Sequence, residues 1–185
     1  LLLTPFFSCL GSVDRRKNTI LYLTLFAAKF AGINSSKMAE TLGSLCDKLT
    51  IVKLKQYHTE DEARLQSLTS QEKQLQEEIN GFVKDAVDGN IPADRLTFSA
   101  NKVYKKEGNE TREIAGAIGE VFAELARVNC DLWHEQEKVY EFEKVDAAEK
   151  DVVVKKLAVL NLERNKCIDA IDRQFQSMVT RKNQA

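Results

Sequence analysis

The chain has 185 residues, enough for one domain with a sizeable core, and its 43% hydrophobic and 30% charged content excludes intrinsic disorder. Its net charge of −1 supplies no global basic field for nucleic acid. The four cysteines (Cys9, Cys46, Cys130, Cys167) are scattered with no C-x-x-C pair, which argues for reduced, buried thiols in the cytoplasm rather than a disulfide framework or a zinc site.

Charge divides the chain at about residue 37. Residues 1–37 carry Arg15, Arg16, Lys17, Lys29 and Lys37 against Asp14, while the remainder holds 22 bases and 27 acids. The apolar run "NTILYLTLFAAKFAG" is interrupted by Lys29 and falls short of the roughly 20 apolar residues of a spanning helix. The order of its parts does not match a signal peptide. The expectation is a basic, apolar leader over 1–37 outside the core, a native start at Met38, a bundle domain over 38–180 and a tail over 181–185.

From Ser35 onward the apolar spacing is helical. The first helix is expected over Met38–Tyr57, capped by Ser35 or Ser36, with Leu42, Leu45, Leu49 and Val52 as its seam. The second follows "HTED", with Thr59 as cap and Leu65, Leu68, Glu72, Leu75, Ile79, Phe82 and Ala86 as its seam; Glu72 marks a partly exposed point. Gly89 and Pro92 end it. Residues 90–108 form one long irregular loop, locally basic through Arg95, Lys102, Lys105 and Lys106, and Asn109 in "NET" reads as a helix cap rather than a glycosylation site. The third helix is expected over Thr111–Phe142 and the fourth over Ala147–Met178. The predicted fold is an all-α antiparallel bundle of four main helices.

The third helix has two stripes. Ile114, Ile118, Val121, Leu125, Val128, Leu132 and Val139 form one; Gly116, Gly119, Ala123, Ala126, Cys130 and His134 form the other. Small residues at this spacing admit a close helix neighbour, so this helix is expected to be covered on two sides. On the fourth helix, Asn161 and Arg164 interrupt the seam Leu157, Leu160, Ile168, Ile171 and Phe175. A guanidinium there requires an anion, and the pattern points to Glu137 or Asp61.

The chain's two histidines sit in parallel settings: Tyr57-His58-x-x-Asp61 and Trp133-His134-x-x-Glu137. Asp47, Ile51, Leu54, His58 and Asp61 form a second stripe on the first helix, which would bring both pairs together if it met the third. Three readings fit. The histidines satisfy acids or helix ends, the ordinary case. They hold a metal, as bundle-core carboxylate sites do, although Lys55 stands where the counterpart of Asp131 in Asp131-x-x-His134 should be. Or His134, Glu137 and Arg164 line a polar ligand pocket. No phosphate loop, nucleophile elbow or zinc spacing points to a particular reaction, and no metal or cofactor is expected.

The segment Leu132-Trp133-His134-Glu135 with Glu137, followed by Asn161, Arg164, Asn165, Ile168, Ile171 and Asp172, resembles an uncharacterised family of small helical bacterial proteins. The likeness spans roughly residues 125–175, with "LGSLCDKLTIVKLKQYH" similar to the family's first helix. Gln136 and Lys138 depart from its pattern. Members carry a domain-of-unknown-function label and are often encoded beside glycosyltransferases of surface polysaccharide assembly. The resemblance implies a neighbourhood rather than an activity. With the pattern of the chain, the expected function is a non-catalytic accessory or interaction bundle, with a protein partner such as a glycosyltransferase or a second copy of itself, no nucleic acid by its charge and no stable membrane span by its hydropathy. The different-class alternative is a ligand-binding protein or enzyme. Candidate binding residues are His58, Asp61, Trp133, His134, Glu137, Asn161, Arg164 and Asn165.

Overall fold

The computed structural model describes residues 39–98, 101 and 111–184. The leader, Asn109 and most of the basic loop lie outside them. The described residues form an all-α fold with four helices: α1 (Leu42–Tyr57), α2 (Glu62–Val87), α3 (Ile118–Tyr140) and α4 (Lys150–Gln184). Short 3-10 turns stand at Ala93–Arg95 and Phe142–Lys144.

Cross-helix contacts give the directions. Lys53 on α1 meets Glu72 on α2, Gly43 and Asp47 on α1 meet Asp172 and Arg164 on α4, and Lys156 on α4 meets Glu135 on α3. From Gly43–Asp172 to Asp47–Arg164 one number rises as the other falls, so α1 runs against α4. From Arg127–Glu163 to Glu135–Lys156 the same holds, so α3 runs against α4, and the short link at 58–61 turns α2 back along α1. α1 and α3 are therefore parallel, as Asp47–Asn129 and His58–Trp133 confirm. The result is an up-down-up-down bundle.

Local chemistry sets the ends. Thr41 caps α1, its Oγ1 accepting from the Ser44 N–H at 3.3 Å. Asp61, not Thr59, caps α2 by accepting from the Arg64 N–H at 2.9 Å. Gly89 follows the end of α2 at φ 77°, where glycine carries no Cβ penalty. α3 begins at Ile118 rather than Thr111 because Gly116, at φ 111°, breaks the backbone first. α4 begins at Lys150 and continues through the expected tail to Gln184.

The main core joins Leu45, Leu96, Val121, Leu125, Ile171 and Phe175 with their neighbours. Leu96, fully buried, anchors the described start of the long loop. A smaller apolar cluster holds Val128, Leu132 and Leu160, with Leu157 against it. Asn129, beside Val128 on α3, and Arg164, between Leu160 and Cys167 on α4, add a polar layer next to these apolar clusters.

The second stripe of α3 departs from expectation. Gly119, Ala123 and Ala126 are exposed, and a Cβ built on Gly119 would meet nothing within 4 Å. Small side chains offer little apolar area, so little drives another helix onto that face. Among the described residues α3 is covered on its Val121–Leu125–Val128–Leu132 side.

Candidate functional site

The doubled histidine motif converges. His58, the C-cap of α1, stacks on Trp133 of α3 with ring centroids 4.8 Å apart and planes 16° apart. His134 stands edge-on to His58 at 6.2 Å, and Tyr57 edge-on at 5.1 Å. Glu137, one turn along α3, accepts from the Trp133 indole N–H at 2.8 Å and lies 3.3 Å from His134 Nδ1. The indole and imidazole together hold its carboxyl below the usual carboxylate range. Asp61 does not join this group; its carboxylate is committed to capping α2. Asp131, the other half of the metal-type pairing, is held by Arg127. Among the described residues no group of three or more His, Cys, Asp or Glu side chains is placed to hold a metal ion.

Arg164 takes a partner other than those the pattern pointed to. Its Nε lies 3.7 Å from Asp47 Oδ1, not beside Glu137 or Asp61. The same Asp47 oxygen accepts from Asn129 Nδ2 at 2.9 Å, and Asn129 Nδ2 also donates to Thr50 Oγ1 at 2.7 Å. Three helices thus meet at one polar layer. Asn161, expected in the seam, is exposed and hydrogen-bonds back to the Leu157 carbonyl. Asn165 is half-buried.

Two open cavities flank the aromatic group. One of about 620 Å³ is lined by His134, Glu137, Lys138, Tyr140 and Glu141. Arg164 is not part of its wall, so the three residues of the expected polar pocket do not share it. The other, about 730 Å³, is an apolar groove lined by Leu49, Thr50, Lys53, Leu54, Gln56, Tyr57 and Ala126, chiefly on α1. Tyr57, 85% exposed, forms one of its walls.

No protein-family model, no curated protein and no solved structure matches the chain.

The burial of three carboxylates, Glu135, Glu163 and Asp172, was not expected from the sequence. Burial pushes the Glu163 carboxyl up, but Arg112, bonded through two nitrogens at 3.3 and 3.1 Å, outweighs it and holds it low. Glu135 is likewise pushed up by burial and brought below its usual range by Lys156 and Lys138. Asp172 goes the other way: burial dominates and lifts it to about 6. Their common signal is position: Glu135 is three residues past Leu132, Glu163 three past Leu160 and Asp172 four past Ile168, each one helical step from the apolar seam. The thiols of Cys46 and Cys167 are pushed up to about 11 by burial, so both stay protonated near neutrality and are poor nucleophiles.

Proposed function

We propose that this bundle is a non-catalytic interaction module of the cytoplasm that receives an amphipathic helix of a partner protein along its α1–α3 face. The observation that carries the reading is the apolar groove beside exposed small residues. Leu49, Leu54 and Tyr57 supply apolar contact, and Ala126 belongs both to the groove and to the exposed Gly119–Ala123–Ala126 stripe. Helix-in-groove recognition uses such a surface, and small residues at spacings of three and four let a docking backbone come close. The carboxylates that could do chemistry are instead engaged: Glu135 and Glu163 by cations, Glu137 by Trp133 and His134. The partner we infer from the family resemblance is a glycosyltransferase of surface polysaccharide assembly.

The test is co-elution of the full chain with a glycosyltransferase of surface polysaccharide assembly. Ala126→Arg and Tyr57→Ala change exposed positions, so both variants should keep the helical spectrum and melting point of the wild type while losing the complex. Variants that bind as the wild type does would refute the groove as the docking face.

The alternative is a ligand-binding protein or enzyme using His134, Glu137 and Arg164. It draws support from the cavity that His134 and Glu137 share. It requires Arg164 to leave Asp47, since that pairing holds the guanidinium in the polar layer.

A further inference from the structure

The first turn of α1 is pressed against α4 by a buried carboxylate. Asp172 is 3% exposed, and its Oδ1 accepts from the Gly43 N–H at 2.7 Å. The Thr41 hydroxyl also hydrogen-bonds it. Gly43 and Ser44 are two of the four N–H groups that a helix start leaves without partners, and Asp172 and Thr41 take one each. The approach is close: a Cβ on Gly43 would fall 2.5 Å from the Ile168 carbonyl.

The surroundings of Asp172 are unusual for a buried acid. Among the described residues no lysine or arginine forms an ion pair with it. Arg173, next to it on α4, favours its charge weakly, and Asp169, one turn back, opposes it. From α1 it acts on the Cys46 thiol; Asp47 is turned to Asn129 and Arg164, and Glu40 to Ser44 and Lys48. The Gly43 and Thr41 hydrogen bonds favour the anion, as does the helix start, but burial outweighs them.

We propose that Asp172 and the first turn of α1 form a proton-gated clasp, in which the neutral carboxyl holds the turn shut against α4 and loss of its proton to solvent loosens the turn and uncovers the Cys46 thiol. The linkage follows from the two states. In the closed turn the carboxyl titrates at about 6, against 3.8 for an ordinary aspartate, so the closed form binds the proton more tightly. Closure gains nothing further below the ordinary value and weakens as pH rises through about 6. Between pH 5 and pH 8 this difference corresponds to a change on the order of tenfold in the opening equilibrium. Cys46 reports it because it is half-buried one turn along the same helix, and the Asp172 carboxylate acts on its thiol. This inference is independent of the groove and its partner.

The experiment uses the full chain alone. Carboxyl-carbon NMR follows Asp172 through pH 4–8, while amide exchange at Gly43, Ser44 and Leu45 is compared at pH 5 and pH 8 after correction for intrinsic rates. The expected result is a midpoint near 6 and protection about tenfold lower at pH 8. Thiol modification of Cys46 should rise between these pH values by more than the growth in thiolate explains. Asp172→Asn, which keeps an oxygen acceptor for the Gly43 N–H, should remove the difference in protection. An Asp172 midpoint near 4, equal protection at both pH values, or an unchanged difference in Asp172→Asn would overturn the clasp. Should that variant not fold, the carboxyl titration and wild-type exchange still decide.

Discussion

His58 lies nearly parallel to Trp133 at 4.8 Å, tying the C-terminal end of α1 to the middle of α3. Because Trp133 is the chain's one tryptophan, its fluorescence reports on this one indole and its surroundings. His58→Ala should increase quenching of Trp133 by acrylamide, since one face of the indole loses its cover. Aromatic stacking contributes about 0.5–1.5 kcal/mol, which in a chain of this size corresponds to a fall of roughly 1–6 °C in melting temperature. Unchanged quenching would show that the two rings do not stack in solution.

Glu135 presents redundancy. It is 4% exposed and accepts from Lys138 at 2.9 Å on its own helix and from Lys156 at 2.6 Å on α4, both through Oε1. Removing either lysine leaves the other, so Lys138→Ala and Lys156→Ala should each cost under about 1 kcal/mol. Removing both strands a buried carboxylate, and the double variant should lose about 3 kcal/mol, well beyond the sum of the singles. Urea unfolding at neutral pH checks this. Because Glu135 and Glu163 are held below their usual range, their contribution to stability is present above the ordinary glutamate value of 4.5 and is lost as pH falls through their lowered values. In the double variant the Glu135 share of that acid-side loss should disappear, as Tm measured between pH 2 and pH 5 would reveal.

The helices were legible because their apolar period is strong and their stops are chemical: Gly89 ends α2 in the left-handed conformation that its position after Val87 demands. That His58 and His134 share one local setting was legible as a repeated motif, whereas the stacking of His58 on Trp133 was not. The partner of Arg164 was not, because choosing Asp47 over Glu137 requires the offset between α1 and α4, and the close approach of Gly43 to Ile168 sets that offset. The small stripe of α3 misled for a different reason. Small residues permit a close neighbour but provide no area to attract one, so their spacing cannot distinguish a covered face from an open one. Asn129 was readable in principle, standing four residues after Leu125 and three before Leu132, on the flank of the apolar stripe.

Asn129 and Arg164 should differ in what they contribute. Asn129 is 1% exposed and holds Asp47 and Thr50 together. Asn129→Ala leaves both without that donor and is expected to cost about 2–3 kcal/mol. The Arg164 side chain is 32% exposed and its Nε stands at the long distance of 3.7 Å from Asp47. Arg164→Ala is expected to cost only about 1 kcal/mol, because Asp47 keeps its bond to Asn129 and part of the guanidinium already meets water. Chemical denaturation of both variants decides the order; a larger loss for Arg164→Ala would make the ion pair, rather than the amide, the centre of the layer.

Gly43→Ala tests the α1–α4 approach most directly. The turn itself would tolerate alanine, which is the better helix former by about 1 kcal/mol. The added methyl, however, meets the Ile168 carbonyl oxygen at 2.5 Å and Asp172 Oδ1 at 3.0 Å. The first of these is backbone in the middle of α4 and cannot swing aside as a side chain would. α1 must therefore retreat, lengthening the Gly43–Asp172 hydrogen bond and loosening Leu42 and Leu45 in the core. Overpacking of this kind costs roughly 1–3 kcal/mol, so the net change should be a loss despite the gain in helix propensity. A Gly43→Ala variant that melts at or above the wild-type temperature would mean that α1 and α4 do not come this close, and the Asp172 contact would fall with it.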